Sequence, residues 1–252
     1  MSGHSKWHNI RLRKGKQDAE RGKTFTKLAK EIIIAAKNGG GNPDANSRLR
    51  TAVAAARASS MPADNIKRAI QRGTGELEGV NYEELTYEGY GPGGVAVLVQ
   101  CLTDNKQRTV ADVRAIFSKN GGSLGTSGSV AYLFAPQGVI QIEDGATTED
   151  KLMEAAIEAG ADDVQPIEDE GGWEVTTASE DLQTVREAIE KAGIPVASAD
   201  QTMVPSTTVT LAGKEAGQVL RLVDTLEDHD DVQNVYANFD VPDEALAAAG
   251  AH

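Results

Sequence analysis

The chain has one cysteine among 252 residues, so no disulfide can form within it, and a reducing compartment suits it. That residue, Cys101, lies in an apolar run and reads as a small buried hydrophobe, not a nucleophile. Histidine is scarce as well: His4, His8, His229 and His252 are the whole supply. Cys-His catalysis therefore lacks a credible nucleophile, and Ser-His catalysis would have to use these peripheral positions. Long hydrophobic runs are missing too. Stretches such as VAVLVQCL (95–102) fall far short of the roughly 20 apolar residues that span a bilayer, and the first residues carry no apolar signal-peptide core. The expectation is a soluble, cytoplasmic protein with no membrane partner.

What the chain does have is charge, unevenly placed. Residues 1–75 hold 16 of the 25 Lys and Arg but only 5 of the 38 Asp and Glu, a net +11. Residues 76–134 sum to −3 and residues 135–252 to −21, so the overall −13 and the pI near 4.8 average over a basic head and an acidic body. The field near a module depends on that module's own charges, which makes the head a candidate for polyanion binding despite the acidic total.

Hydrophobic period divides the chain along similar lines. In 18–37, Phe25, Leu28, Ala29, Ile32, Ile33 and Ala36 recur at helical steps, with Lys23, Lys27 and Lys30 mostly beside that stripe. GGGNP (39–43) stops this helix, and Asp44 or Asn46 can cap a second that turns Leu49, Ala52, Val53 and Ala56 inward. Pro62 and Asp64 suit the first turn of a third helix, with Ile66, Ala69 and Ile70 inward and Gly73 as its stop. After GTGELEG (73–79) the pattern turns to strands at 85–90 and 95–102, a helix over 107–120 and a strand at 129–134. Between 138 and 203 the order β-α-β-β-α-β matches a ferredoxin-like unit. A last strand, helix and strand (207–211, 215–226, 232–239) is too short to bury its own core and is placed with the earlier β-β-α-β segment.

The expected fold is multidomain α+β, with an N-terminal three-helix domain (1–78), a discontinuous α+β middle domain (79–135 and 204–240) and an inserted, acidic, ferredoxin-like domain (136–203). Residues 241–252 read as a flexible tail.

Several apparent sites dissolve on inspection. GYGPGG (89–94) has dinucleotide-fingerprint spacing but opens a strand and contains Pro92, so it reads as a hairpin connection. GGSLGTSG (121–128) follows a helix C-terminus, the wrong end for anions, and reads as a loop. His4 and His8 have helical metal spacing without further ligands. Asp228, His229, Asp230 and Asp231 are consecutive, cannot easily converge on one ion, and read as a solvated helix end. No enzymatic activity, metal, cofactor or small-molecule substrate is expected.

The positive signal is in the head. Lys6, Arg11, Arg13, Lys14, Lys16, Arg21 and Lys23 gather around Trp7 and His8; cations release counterions from phosphates, and an exposed indole can stack on a base. Lys27, Lys30, Arg50, Arg57, Lys67, Arg68 and Arg72 continue the basic surface, and Lys106, Arg108 and Arg114 could extend it.

The opening SGHSKWHNIRLRKGKQDAERGKTFTKLAKEI resembles the start of the YebC family of probable transcriptional regulators, which is related to a mitochondrial translational activator of cytochrome c oxidase. The likeness continues through GGGNPDANSRLRTAV, MPADNIKRAIQRGTG, YEGYGPGGVAVLVQCLTDNKQRTVADVR and FSKNGGSLGTSGSVAYLF, is close over 2–134, and is looser beyond, where PVASADQTMVP still fits. The resemblance implies three domains and a cytoplasmic protein without known enzymatic activity. It also implies DNA binding with transcriptional control, or alternatively work on the translating ribosome. Both ligands are polyanions, and phosphate contacts do not read sequence, so DNA and ribosomal or transfer RNA both stay open. A basic protein is a further candidate partner for the acidic domains.

Overall fold

The computed structural model describes residues 19–167 and 171–241. The expected phosphate contacts Lys6, Arg11, Arg13, Lys14 and Lys16, with Trp7, His4 and His8, lie outside those residues, as does nearly all of the expected tail.

Helix α1 (Ala19–Gly39) forms the spine of the head, against which α2 (Ser47–Ala58) and α3 (Ala63–Thr74) pack. The head core joins Ile32, Ile33 and Ala36 of α1 to Leu49, Ala52, Val53 and Ala56 of α2 and to Ile66 and Ala69 of α3. Asn46 caps α2: its Oδ1 accepts from Leu49 N at 3.1 Å, while its Nδ2 donates to the carbonyls of Ala35 and Gly40 at 2.8 Å each, satisfying the end of α1 with the same side chain. Helix α3 does not stop at Gly73. It runs to Thr74 and is capped by Gly75 in the left-handed region (φ 82°). Gly73 serves another purpose, because a Cβ there would stand 2.4 Å from the Ile33 carbonyl oxygen.

The middle sheet has the order β3-β1-β2-β9, from β1 (Glu83–Tyr90), β2 (Ala96–Thr103), β3 (Ser123–Leu124) and β9 (Val232–Ala237). Every pairing is antiparallel, so a strand from late in the chain lies beside the β1–β2 hairpin. Helices α4 (Lys106–Lys119) and α7 (Gly213–Glu227) supply Val113, Phe117, Val219, Leu222, Val223 and Leu226 to a core with Val97 and Val99. GYGPGG forms the hairpin connection, with Gly91 N donating to Val95 O at 2.7 Å. Short strands β8 (Val209–Thr210) and β10 (Phe239–Asp240) pair in parallel.

Residues 129–134 depart from the strand expected there. The backbone N–H groups of Gly128, Val130 and Ala131 donate to the buried Glu88 carboxylate at 2.6–2.8 Å, so these donors are not available to a strand ladder. A short 3-10 turn follows, and Phe134 opens a strand of a different sheet.

That second sheet runs β5-β6-β4-β7 and is wholly antiparallel, from β4 (Phe134–Ile142), β5 (Ala161–Pro166), β6 (Trp173–Ala178) and β7 (Ser198–Pro205). With α5 (Glu149–Glu158) and α6 (Leu182–Lys191) it has the ferredoxin-like order, around Ile140, Leu152, Val175, Val185 and Ile189. Phe134 pairs with Pro205, so this fold extends a little beyond 136–203 at both ends. It forms one compact unit (Tyr132–Thr207); the head and the middle sheet together form the other.

Candidate nucleic-acid interface

Helices α2 and α3 bury their apolar faces in the head core and leave Arg50, Arg57, Lys67, Arg68 and Arg72 exposed. None of the five forms an ion pair among the described residues. In residues 45–75, Asp64 is the only carboxylate against six Lys and Arg, so this segment carries net positive charge. Arg48, the sixth, is taken by Glu31 and Glu84, and these partners raise its pKa beyond the ordinary arginine value.

The lysines of α1 are placed differently. Lys23, Lys27 and Lys30 recur at steps of four and three and so share a side of the helix. That side meets the C-terminal end of α7, where helical carbonyls lack intrahelical donors and the dipole is negative. Lys27 Nζ donates to Glu227 O at 2.6 Å, and Lys23 Nζ to Asp228 O at 3.2 Å. Lys30 is buried, 6% exposed, and donates to Asp231 Oδ1 at 2.7 Å and to Asp230 O at 2.9 Å. Its ammonium also stands 5.5 Å from the centre of the Tyr82 ring. Lys30 is thus an internal ion-pair partner, not an exposed phosphate contact.

Asp231, expected on a solvated helix end, is 3% exposed and is the centre of this arrangement. Its Oδ2 accepts from Arg108 Nη2 at 2.8 Å, and the Thr109 and Thr103 hydroxyls lie 2.9 and 3.2 Å from the same oxygen. Burial by itself would push the carboxyl up; Arg108, Lys30 and Thr109 outweigh it and hold Asp231 far below the usual carboxylate range. His229 shares the turn, with its Nδ1 accepting from Asp231 N at 3.1 Å and its Nε2 3.3 Å from Asp112 Oδ2. A cleft of about 650 Å³ opens beside these groups. Among the described residues no His, Cys, Asp and Glu side chains converge as a metal site.

The middle-domain cations divide. Lys106 pairs with Glu83, and Arg108 bridges Asp104 and Asp231. Arg114 is exposed without an ion pair among the described residues. The sequence does not reveal the roles of Asp231 and Glu88, because one acid in a run of acids, or one acid within a strand, carries no local mark of burial.

A family model described as the TACO1/YebC protein N-terminal domain matches residues 5–76, and a second, the TACO1/YebC second and third domain, matches residues 82–239. The chain belongs to the TACO1/YebC family. Among TACO1/YebC relatives, a probable transcriptional regulatory protein of Desulforapulum autotrophicum is 57% identical over 98% of this chain and 100% of its own length. One of Geobacter sulfurreducens, with the same description, is 57% identical over 98% of both chains. A crystal structure of a conserved hypothetical protein from Aquifex aeolicus superposes with a TM-score of 0.80 at 49% identity, covering 91% of this chain and 94% of the other. The TACO1/YebC boundary between residues 76 and 82 falls in the segment joining α3 to β1. No helix among the described residues is long and apolar enough to cross a membrane.

Proposed function

We propose that this protein is a non-enzymatic regulator of gene expression that binds nucleic acid, holding phosphates with the basic face of its helical head. The observation that carries this reading is the set of five exposed cations on α2 and α3 without an internal partner among the described residues. Other cations of the same unit, Arg48 on α2 and Lys106 and Arg108 on α4, are matched by carboxylates. Lys6, Arg11, Arg13, Lys14 and Lys16 would add to the same grip, with Trp7 as the stacking candidate, and Arg114 could extend it. The names of the relatives, probable transcriptional regulatory proteins, support a regulatory role. Burial pushes the Cys101 thiol up to about 12, which removes a thiolate nucleophile and agrees with a non-catalytic protein.

Structured RNA, including ribosomal or transfer RNA, is the second reading, and the exposed face of α2 favours it over operator recognition. Arg50 and Arg57 are separated there by Ala54 and Ala55, with no amide side chain to read base edges. Such a face meets phosphates by position and shape.

Fluorescence anisotropy on duplex DNA and on structured RNA, between 50 and 200 mM salt, tests the reading. If about six phosphates are neutralised, the slope on duplex DNA is near −5 and affinity falls roughly a thousandfold across that range. The triple variant Lys67→Ala, Arg68→Ala, Arg72→Ala is expected to flatten the slope by about 3. A flat response in the wild-type protein refutes phosphate gripping. In-cell cross-linking then separates the two readings by whether chromosomal DNA or ribosomal and transfer RNA is recovered.

A further inference from the structure

Lys23, Lys27 and Lys30 carry the same ammonium chemistry as the exposed head cations, yet each meets an oxygen of the chain itself: a helix-end carbonyl, a turn carbonyl or a buried carboxylate. Such an array of carbonyls and carboxylates is an internal counterpart of a phosphate row. We propose that the end of α7 and the turn Asp228–Asp231 mask the α1 lysines, and that opening this clamp regulates affinity by adding a second row of cations to the nucleic-acid footprint. The inference rests on the phosphate-binding reading above and concerns how that binding is controlled.

The clamp is graded from outside to inside. Its outer pair, Lys23 with the Asp228 carboxylate at 4.0 Å, has both side chains about half exposed, at 47% and 58%. Pairs of that kind are weak and screened by salt, so the clamp opens from this end, and in the closed state Lys23 is held by the Asp228 carbonyl and carboxylate together. Its inner pair, Lys30 with Asp231, has side chains only 8% and 4% exposed and is reinforced by Arg108 and the two threonines, so it holds the closed state. A buried pair depends on both partners, because removal of one leaves an uncompensated charge. Asp231→Asn therefore weakens the lock at its centre while keeping the side-chain shape. The cleft at this point is lined by Lys23, Lys30, Asp228 and Asp231, members of both sides of the clamp.

The test compares wild type, Asp231→Asn and Glu215→Gln for anisotropy on one duplex DNA and one structured RNA over 50–200 mM salt. Glu215 is an exposed acid in the first turn of α7, so its variant reports the effect of deleting one negative charge anywhere on this unit. Release of three lysines is expected to steepen the Asp231→Asn slope by about 2 to 3 and to tighten binding at least about tenfold at low salt. Glu215→Gln is expected to leave the slope unchanged. An Asp231→Asn slope equal to wild type overturns the clamp, whereas loss of salt dependence in the wild-type protein overturns the phosphate-binding reading itself. Because Asp231→Asn can compromise folding, Lys23→Ala with Lys27→Ala in the otherwise wild-type protein provides an independent arm. Masked lysines predict unchanged affinity and slope for that pair; a slope flattened by about 2 overturns the proposal.

Discussion

Replacing Gly73 by alanine sets two contributions of opposite sign against each other. Gly73 is the penultimate residue of α3, and helix propensity favours alanine over glycine by up to about 1 kcal/mol. Packing opposes it, because the new methyl would stand 2.4 Å from the Ile33 carbonyl oxygen and 2.7 Å from Ala36 Cβ, both on α1. Neither neighbour can rotate away, since one is backbone and the other a Cβ, so the two helices must separate where they bury the head core. Overpacking of that kind costs about 1–3 kcal/mol, and two rigid contacts place Gly73→Ala near the upper limit. The net destabilisation is about 1–2 kcal/mol, or a fall of about 2–8 °C in the melting of the unit that contains the head. Gly22 is the control: it is helical, exposed, and has no atom within 4 Å of a built Cβ, so Gly22→Ala is expected to gain up to about 1 kcal/mol. Calorimetry and far-UV circular dichroism on both variants read the difference. A Gly73→Ala protein that melts at or above the wild type would refute the close-crossing explanation.

Glu88→Gln replaces an acceptor-only carboxylate by an amide in front of three backbone donors and is expected to cost about 2–3 kcal/mol at neutral pH. Burial alone would push Glu88 up, but the Gly128, Val130 and Ala131 N–H groups hold it below the usual range. Its contribution is therefore complete above the unfolded value near about 4.3 and is lost as pH falls through the folded value. The stability gap between wild type and Glu88→Gln should narrow in urea melts below about pH 4; a gap constant down to the acid limit argues against the carboxylate-to-backbone interaction. Cys101, 2% exposed and with its thiol pushed up to about 12, should resist aromatic disulfide reagents at pH 8 and react fully once denatured. Rapid reaction in the native protein would contradict that burial.

Local signals made most of the elements legible. The spacing of Phe25 to Ala36, the Asn46 cap and the Pro62 and Asp64 helix start each state a period or a boundary within a few residues, and helices α1 to α7 all lie where such signals put them. The sheet order of the ferredoxin-like unit followed from its element order for the same reason. Gly73 and residues 129–134 read otherwise because the deciding partner was distant: Ile33 lies forty residues before Gly73, and Glu88 forty residues before Gly128.

The sequence by itself determined the polarity of the molecule, a head of +11 against an acidic remainder, because charge counts need no folding to be read. It also determined the family membership and the helical faces that leave Arg50, Arg57, Lys67, Arg68 and Arg72 outside. Only the tertiary structure decided which of those charges are spent internally. Lys27 and Lys67 are alike in local sequence terms; what separates them is that α1 runs past the end of α7, where the Glu227 carbonyl and the buried Asp231 of the following turn lie some two hundred residues away in the chain.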